Sequence, residues 1–346
     1  MNGSQEIRTR EVKECLLCKR EGISLYENLT DRLFDVPGVW RLLKCVNCDL
    51  VWLSPRPISE DLGKTYSNYM THAANGSKGR MEALQEKIAL RVLTSTHWYG
   101  QRRNGGSVGL LGRVLSWVPL FEDASRRYVM NLHDEEGGRL LDVGCGAGAF
   151  LADMHRLGWT VAGVETDPEV AKIAQARFGL SVFTGSLQEA SFPPNSFNAI
   201  TMEHVIEHVE DPLALVRECH RIVKPGGRIS IATPNVDCFQ HRLFKVAWLE
   251  LDPPRHLQIF SMRTITRLFE LAVPGGFHVQ DLRSVSVNTG QMSVVSRSIK
   301  RKGRWEMKRL SAREIAESLI FLLAEEVSKM SRPQAGEEIL MTVRKC

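Results

Sequence analysis

The chain has 346 residues, of which 43% are hydrophobic and 25% are charged, and its formal net charge is +5. This composition is typical of a globular protein and argues against a disordered, collagen-like or coiled-coil chain. No run of about 18 apolar residues occurs, and residues 1–14 are polar, so neither a membrane span nor a signal peptide is expected. The length allows one large domain and a smaller one, and we expect a cytoplasmic protein.

Positive charge is concentrated toward the ends of the chain. Residues 134–296 carry 14 Lys and Arg residues against 19 Asp and Glu residues. The densest basic run comes after them and comprises Arg297, Lys300, Arg301, Lys302, Arg304, Lys308 and Arg309. Such a run can contact a phosphate, an anionic glycan or a membrane surface, and it is equally compatible with a solvated loop and helix face.

Two Cys-x-x-Cys pairs stand out near the N-terminus. The four cysteines are Cys15, Cys18, Cys45 and Cys48, with 26 residues between the two pairs. Because disulfides are rare in a reducing compartment, the pairs are more typical of a metal site. Two such turns can place four thiolates about 2.3 Å from one Zn²⁺, which closes the site to catalysis. The spacing predicts a structural zinc ribbon, with four unligated thiols or a redox dithiol as alternatives.

The residues around the second pair add two expectations. The position after each pair should tolerate a left-handed backbone conformation, which suits Asp49 and suits Lys19 less well. The apolar segment 50–53 predicts a strand that packs on the ribbon.

We expect three regions along the chain. They are a zinc-ribbon domain at 1–60, a helical connector and candidate lid at 61–133, and the main domain at 134–346. In the connector, apolar residues recur at helical spacing over 81–93, and a second helix is predicted at 125–132. The Gly-, Arg- and Asn-rich segment 100–112 is typical of a loop. No residue of the connector is assigned a chemical role.

From residue 139 onward, strand-like and helix-like segments alternate. Strands are predicted at 139–143, 159–164, 181–184, 199–202, 228–232, 277–285 and 339–343. Helices are predicted at 150–157 and 168–178, after Asp211-Pro212 and after Ser261. This alternation predicts an α/β fold with a Rossmann-like, mostly parallel, seven-stranded sheet and helices on both faces.

A glycine-rich turn follows the first of these strands. The segment Asp142-Val143-Gly144-Cys145-Gly146-Ala147-Gly148 lets the backbone approach a ligand and turn into a helix whose N-terminus faces the site. Glu165 follows about 20 residues later, at the end of the second strand, where a carboxylate can accept hydrogen bonds from ribose hydroxyls. Together they predict a cofactor of the adenosine type without distinguishing among such cofactors.

Later segments carry a family resemblance. Residues 196–212 read Ser-Phe-Asn-Ala-Ile-Thr-Met-Glu-His-Val-Ile-Glu-His-Val-Glu-Asp-Pro, and residues 222–228 and 233–235 read Ile-Val-Lys-Pro-Gly-Gly-Arg and Thr-Pro-Asn. In combination they resemble class I S-adenosylmethionine-dependent methyltransferases of the type 11 and type 23 group, over about residues 136–285. The resemblance implies an enzyme that uses S-adenosylmethionine as methyl donor.

The same resemblance implies which residues bind this cofactor: Asp142, Gly144, Gly146, Gly148, Glu165, Ser186, Leu187, Met202 and Glu203. In that assignment Asp142 and the glycines line the methionine part, and Glu165 binds the ribose. Ser186 and Leu187 flank the adenine, although many relatives have Asp at the position of Ser186. Met202 and Glu203 lie beside the amino group and the sulfonium.

The ribbon joined to this core, with Asp31-Arg32-x-Phe34-x-Val36-Pro37-Gly38 between its cysteine pairs, resembles bacterial methyltransferases of sugar or surface-polysaccharide modification. It implies a small-molecule or saccharide acceptor, in the first place a sugar hydroxyl in polysaccharide or natural-product biosynthesis. Three alternatives stay open: a quinone or phenol O-methyltransferase, an RNA methyltransferase that uses the ribbon and the basic flanks, and a non-catalytic module that binds S-adenosylmethionine. The sequence defines neither the methylated atom nor the oligomeric state.

Two histidines are candidates for catalysis. His256 lies in Asp-Pro-Pro-Arg-His-Leu at residues 252–257, after the fifth strand, where this fold class positions acceptors, and Phe260-Ser261 continue a pattern of type 23 relatives. His256 is the preferred general base, because a neutral imidazole can accept a hydroxyl proton near neutral pH. Arg255 would pair with an anionic acceptor.

His208 is the second candidate and stands in a group with His204 and Glu207. If the segment is helical, these three side chains share one face at i, i+3 and i+4. They would then hold a divalent ion, form a structural Glu–His pair, or leave His208 to act as a base.

Overall fold

The structure is a computed structural model and describes residues 6–66, 89–90, 92–93, 114–115, 117–132, 137–305 and 310–346. Most of the predicted helix at 81–93, the predicted loop at 100–112 and two residues of the basic run, Lys308 and Arg309, lie outside these ranges. Within the described ranges, no helix is long and apolar enough to cross a membrane.

Five short strands form the N-terminal ribbon. They are β1 (Thr9–Arg10), β2 (Gly22–Leu29), β3 (Trp40–Cys45), β4 (Val51–Leu53) and β5 (Arg56–Pro57). β1 pairs with β5, while β2, β3 and β4 form an antiparallel sheet. The fourth strand of that sheet is Gln258–Ile259, which pairs with β4 from far along the chain. The ribbon sheet is therefore completed by the main domain.

Residues beyond 137 form the seven-stranded sheet that the sequence predicts. Its strands are β6 (Gly138–Val143), β7 (Trp159–Glu165), β8 (Val182–Thr184), β9 (Phe197–Glu203), β10 (Val223–Pro234), β12 (Phe277–Val285) and β13 (Glu338–Lys345), β11 being the ribbon strand Gln258–Ile259. Their order is β8-β7-β6-β9-β10-β13-β12, and only β13 runs antiparallel to its neighbours. The predicted fold is confirmed, and the carboxyl ends of β6, β7, β9 and β10 meet at one edge, where ligands bind in such sheets.

Helices lie between the strands. They are α1 (Ser59–Leu62), α2 (Pro119–Tyr128), α3 (Ala149–Arg156), α4 (Pro168–Phe178), α5 (Pro212–Ile222), α6 (Phe239–Phe244), α7 (Met262–Ala272), α8 (Thr289–Lys302) and α9 (Ala312–Ser331). Asp167 caps α4 and Asp211 caps α5, each followed by Pro, and Ser261 caps α7. The helix expected at 125–132 lies earlier, because Pro119 begins α2 and Met130, with a φ of +48°, follows its end.

The ribbon and the main sheet share one hydrophobic core. Leu43 and Trp52 of the ribbon belong to the same buried cluster as Ile200 and Ile231 of the central strands. The indole N–H of Trp52 donates to the carbonyl oxygen of Val12 at 2.8 Å. Because apolar burial stabilises a fold by about 25 cal/mol per Å², this shared core couples the ribbon to the main domain. The domain boundaries at residues 60 and 133 stay predictions.

A helical insertion separates the edge strand β12 from its neighbour β13 along the chain. β12 and β13 pair antiparallel, which a two-residue turn suffices to connect, yet residues 286–337 lie between them and form α8 and α9. The hydroxyl of Ser296 in α8 accepts the N–H of Leu249 at 3.0 Å, and the N–H of Trp305 donates to the carbonyl oxygen of Arg32 at 2.9 Å. The insertion therefore contacts both the loop after β10 and the ribbon.

Candidate functional site

The four ribbon cysteines lie together. Their Sγ–Sγ distances are 3.4 Å for Cys15–Cys48, 3.2 Å for Cys18–Cys45 and 3.8 Å for Cys18–Cys48. Ligands about 2.3 Å from a tetrahedral metal ion are about 3.8 Å apart, so four sulfurs at these spacings fit one ion. The main-chain N–H of Cys48 also donates to Cys45 Sγ at 3.5 Å, which is a contact that stabilises a thiolate.

The residue after each cysteine pair adopts the left-handed conformation, with φ of +56° at Lys19 and +62° at Asp49. The N–H of Lys19 donates to the carbonyl oxygen of Cys15 at 2.9 Å, and that of Asp49 to Cys45 at 3.1 Å. Lys19 therefore adopts the same backbone conformation as Asp49, although a lysine side chain does not favour the left-handed region. Closing the turn outweighs the cost of about 1 kcal/mol for a side chain in that region.

The glycine turn after β6 is hydrogen-bonded to Glu165 at the end of β7. A Cβ on Gly144 would lie 2.5 Å from Cγ2 of Val205, so the close approach of the next loop requires glycine there. At Gly146 the φ is +53° and a Cβ would meet nothing within 4 Å, which leaves free space above the turn. The N–H of Gly146 donates to Glu165 Oε2 at 2.9 Å. The turn and the end of β7 are thus joined by a hydrogen bond, and their part in binding an adenosine cofactor stays a prediction.

Asp142 lies beneath this cradle and is buried. Burial raises the pKa of Asp142 to about 8, against the opposing effect of the Thr201 hydroxyl, which donates to its Oδ1 at 2.6 Å. Asp142 therefore retains a proton at neutral pH until a cation approaches and favours the carboxylate.

The other expected cofactor residues divide into buried and edge positions. The Met202 side chain is fully buried in the core, so only its main chain can face the sheet edge, and Leu187 is also buried. The N–H and the hydroxyl of Ser186 both donate to Glu189 Oε2 at 2.7 Å. Gly148 is the N-cap of α3. Ser186 is thus engaged by Glu189, a residue that the sequence reasoning did not single out.

Arg127 of α2 is a residue of the site that the sequence analysis missed. Its guanidinium is nearly buried and donates to Glu203 Oε1 at 2.6 Å and to Glu338 Oε2 at 2.5 Å. These carboxylates lie 76 and 211 residues away along the chain, so no local pattern could reveal the pairing. Arg127 thus brings a charged side chain of the connector to Glu203, and the expectation that residues 61–133 carry no chemistry stays a prediction.

His204 extends this charged group toward the acceptor side. Its Nε2 lies 2.6 Å from Glu338 Oε1 and its Nδ1 lies 3.2 Å from Glu207 Oε1. Burial disfavours the imidazolium, but the hydrogen bonds to these two carboxylates outweigh it and raise the pKa of His204 well above its usual value. The other oxygen of Glu207 accepts the hydroxyl of Thr233 at 2.9 Å. The structural Glu–His pair expected among the alternatives is therefore formed by His204 and Glu207.

His208 and His256 form a separate pair of histidines, with ring centroids 4.7 Å apart. His256 is buried, and its Nδ1 donates to the carbonyl oxygen of Glu250 at 2.7 Å. His208 Nδ1 lies 3.1 Å from the carbonyl oxygen of Arg255 and 2.9 Å from the hydroxyl oxygen of Tyr66. Burial and the nearby charge of His256 lower the pKa of His208 to about 4, so its ring is neutral at physiological pH. Tyr66 is a further site residue that the sequence analysis missed.

The set of side chains that can hold a divalent ion differs from the predicted one. Ligand atoms of Glu207, His208 and His256 all lie within 4.8 Å of one another, whereas His204 is engaged by Glu338. Two imidazoles and one carboxylate suit several transition metals.

The expected role of Arg255 is contradicted by its surroundings. Its side chain is fully buried and pairs with Asp31 at 2.7 Å and with Asp252 at 2.5 Å. Arg255 is therefore neutralised inside the protein, where it cannot meet an anionic acceptor.

The family model described as a methyltransferase domain matches residues 120–273. The match extends from α2 through α7. It includes the glycine turn, Arg127, the His204–Glu207 pair and the His208–His256 pair. It agrees with the class that the sequence motifs predict. Over residues 120–273, beside the four-cysteine ribbon, the match supports the predicted class I S-adenosylmethionine-dependent methyltransferase.

Named relatives match a shorter stretch. The ubiquinone biosynthesis O-methyltransferase of Xanthomonas oryzae pv. oryzae is 37% identical over 114 residues, which cover 31% of this chain and 48% of that protein. The same enzyme of Xanthomonas campestris pv. campestris is 38% identical over 105 residues, 29% of this chain and 44% of that protein. The chain thus spans about half the length of these relatives. A solved S-adenosylmethionine-dependent methyltransferase from Mesorhizobium loti aligns with a TM-score of 0.43 and 19% identity, covering 63% of this chain and 96% of that one.

Replacing Arg127 by Met should destabilise the protein in a pH-dependent way. Burial disfavours the Glu338 carboxylate, but Arg127 and His204 outweigh burial and hold its pKa below the usual range. This carboxylate therefore stabilises the fold above its unfolded pKa, and the stabilisation is lost as the pH falls. We expect Arg127→Met to lower the free energy of unfolding by about 3 kcal/mol at pH 8 and by less at pH 5.5, because without Arg127 burial raises the pKa of Glu338 and lets the variant relieve its unpaired charge by taking a proton at the lower pH.

Urea unfolding at the two pH values measures both losses. Arg126→Met is the matched control, because Arg126 lies on the same helix but pairs with the partly exposed Glu122. It should cost about 1 kcal/mol or less. Equal losses for Arg127→Met at the two pH values would contradict the role assigned to this ion cluster.

Proposed function

We propose that this chain transfers a methyl group from S-adenosylmethionine to a hydroxyl oxygen of a small acceptor, in the first place a phenolic one. The observation that carries the proposal is the pairing of two half-sites near the carboxyl edge of the sheet. One is the open glycine turn closed by Glu165. The other is the pair of the half-buried His208 and the buried His256, next to the loop after β10.

The donor half-site suits S-adenosylmethionine by shape and charge. The free space above Gly146 leaves room for a ligand, and Glu165 lies where a ribose would present its hydroxyls. Glu165 and Glu203 bring carboxylates to the turn, which favours a ligand with a sulfonium and an ammonium group. When bound, the cofactor supplies the activated methyl group.

The acceptor class follows the relatives rather than our first expectation. The ribbon architecture suggested a sugar hydroxyl, whereas the named relatives are ubiquinone biosynthesis O-methyltransferases, which supports the phenol or quinone alternative better. Acidity favours the same choice. A phenol, with a pKa of about 10, gives its proton to a neutral imidazole more readily than an aliphatic hydroxyl does.

In this proposal His256 accepts the hydroxyl proton. Because its Nδ1 donates to the Glu250 carbonyl, the ring is fixed and Nε2 is the nitrogen left for the acceptor. His208 stays neutral beside it and does not compete as an acid. The main work of the chain is to align the acceptor oxygen with the methyl group for in-line displacement.

The acceptor is tested by incubating the purified full chain with labelled S-adenosylmethionine and separate pools of phenols, quinols, lipid-linked sugars, glycans and RNA. Label in a phenolic or quinol acceptor supports the proposal. Label confined to sugars or to RNA contradicts the acceptor class, and saturable donor binding without any transfer would favour the non-catalytic module.

Donor binding should depend on the free space above Gly146. Gly146→Val places a side chain in that space and should weaken binding of S-adenosylmethionine at least 100-fold by calorimetric titration. Gly179→Val is the matched control, because Gly179 also has a positive φ and no atom within 4 Å of its Cβ, but caps the far end of α4. Equal affinities of the two variants for S-adenosylmethionine would exclude the turn as the donor site. Tighter binding of NAD than of S-adenosylmethionine by the wild type would contradict the proposed cofactor.

Turnover should depend on His256 far more than donor binding does. We expect His256→Gln to lower kcat by about 10²- to 10⁴-fold, the usual contribution of a general base, with an unchanged Kd for the donor. The exposed His278→Gln is the control. Full turnover of His256→Gln with the acceptor that becomes labelled would remove His256 from the mechanism.

We infer that the four cysteines hold one structural Zn²⁺. Elemental analysis of the purified chain should give one zinc per chain, and Cys45→Ser should lose the metal and lower the Tm, because the buried ribbon core depends on the site. Cys346 is exposed, and Cys346→Ser should keep both the zinc and the Tm of the wild type. A zinc-free wild-type protein with an unchanged Tm would contradict a structural metal.

A further inference from the structure

His256 lies between two attachments of its loop to the ribbon. On the C-terminal side, β11 pairs with β4, and the N–H of Leu53 donates to the carbonyl oxygen of Leu257 at 3.0 Å. On the N-terminal side, the preceding residue Arg255 pairs with Asp31, which lies in the ribbon loop between β2 and β3. The residue with the proposed catalytic role is thus held by the ribbon on both sides.

All five N–H groups of the Arg255 guanidinium are engaged. Nη1 and Nη2 donate to the two carboxylate oxygens of Asp31 at 2.7 and 3.0 Å, while Nε and Nη2 donate to Asp252 at 2.9 and 2.5 Å. The remaining Nη1 hydrogen points to the carbonyl oxygen of Thr65 at 3.3 Å. The guanidinium also lies 4.8 Å from the ring centroid of Phe34. Arg255 is therefore fixed in one position, and Asp31 supplies its bidentate partner.

The position of Asp31 is itself set by the ribbon loop. Its Oδ1 accepts the N–H groups of Leu33 at 2.9 Å and Phe34 at 3.1 Å, and its Oδ2 accepts that of Val36 at 3.2 Å. The side chain of Asp31 is fully buried. The loop thus folds around this carboxylate and presents it to Arg255 without solvent between them.

The ion pair of Asp31 and Arg255 is connected to His208 and His256 through the main chain of Arg255. Its carbonyl oxygen lies 3.1 Å from Nδ1 of His208, so the position of Arg255 sets one of the two hydrogen-bond partners of that nitrogen. Arg255 also bonds the carbonyl oxygen of Thr65, and the next residue, Tyr66, places its hydroxyl 2.9 Å from the same nitrogen. Fixing Arg255 therefore fixes His208, His256 and Tyr66 relative to one another.

We propose that Asp31 is a positioning residue for methyl transfer, so that the ribbon is a wall of the acceptor half-site and acts on it through Arg255. The inference rests on the proposed function. It assigns the ribbon a part in the reaction, where the sequence alone suggested a separate metal-binding module. Small displacements matter at such a site, since about 1 Å of misplacement costs on the order of 10²-fold in rate.

The test compares Asp31→Asn with Asp35→Asn in the full-length, metal-replete chain. Asp35 lies in the same loop, is exposed and has a φ of +55°, which Asn tolerates well. With the acceptor that becomes labelled, Asp31→Asn should lower kcat by about 10²-fold with KM and the donor Kd within about threefold of wild type. Asp35→Asn should leave all three unchanged.

A spectroscopic readout separates positioning from a general loss of structure. In ¹⁵N-histidine NMR spectra, wild type and Asp35→Asn should show the same His208 tautomer, whereas Asp31→Asn should show a mixture or the other tautomer, because the Arg255 carbonyl partner of Nδ1 is displaced. This measurement needs no acceptor, so it also stands if the proposed methyl transfer fails. His208→Gln assigns the signal.

Phe34→Leu provides a second variant if Asp31→Asn does not fold, because it loosens the stacking over Arg255 while keeping both carboxylates. It should lower kcat by a smaller factor, again without weakening donor binding. Wild-type kcat in either folded variant, an unchanged His208 tautomer in Asp31→Asn, or a donor Kd that worsens in parallel with kcat would overturn the role of Asp31.

Discussion

The structure depends on one buried ion cluster, in which Arg255 lies between Asp31 of the ribbon and Asp252 of the loop after β10. A guanidinium without solvent is tolerated only when its hydrogen bonds are complete, and removing one partner of such a group is strongly destabilising. Because the two carboxylates come from distant parts of the chain, the ribbon and this loop must fold against each other. The shared hydrophobic core and the β4–β11 pairing also hold the ribbon against the main domain.

The charges at the carboxyl edge of the sheet form a second connected group. Arg127 links Glu203 at the end of β9 to Glu338 at the start of β13, and His204 links Glu338 to Glu207. Glu203 is the most open member, with its side chain 41% exposed. The group therefore presents carboxylates on the side of the glycine turn that we propose for the donor, while the His208–His256 pair lies on the side that we propose for the acceptor. This division of charge matches the transfer of a methyl group from a cationic donor to a hydroxyl oxygen that loses a proton.

Much of the fold was accessible from local sequence signals. The helix Pro168–Phe178 has the predicted bounds because a capping Asp before Pro acts over a few residues, and the strand Phe277–Val285 also has the predicted bounds. The glycine turn and Glu165 were recognisable for the same reason. Met202 shows the limit of such reasoning, since the sequence places it at the end of a strand but does not tell on which face its side chain is buried.

The sequence by itself determined the class of the main domain and predicted the glycine turn and the four-cysteine cluster, since each is signalled by short motifs whose residues stand close together along the chain. Only the tertiary structure decided that Arg255 is neutralised by the ribbon, that Arg127 lies at the cofactor edge and that His208 faces His256. Those contacts join residues 224, 211 and 48 positions apart. Charge pairs over such separations leave no periodic or local pattern, so they exist only once the sheet has brought its strand ends together.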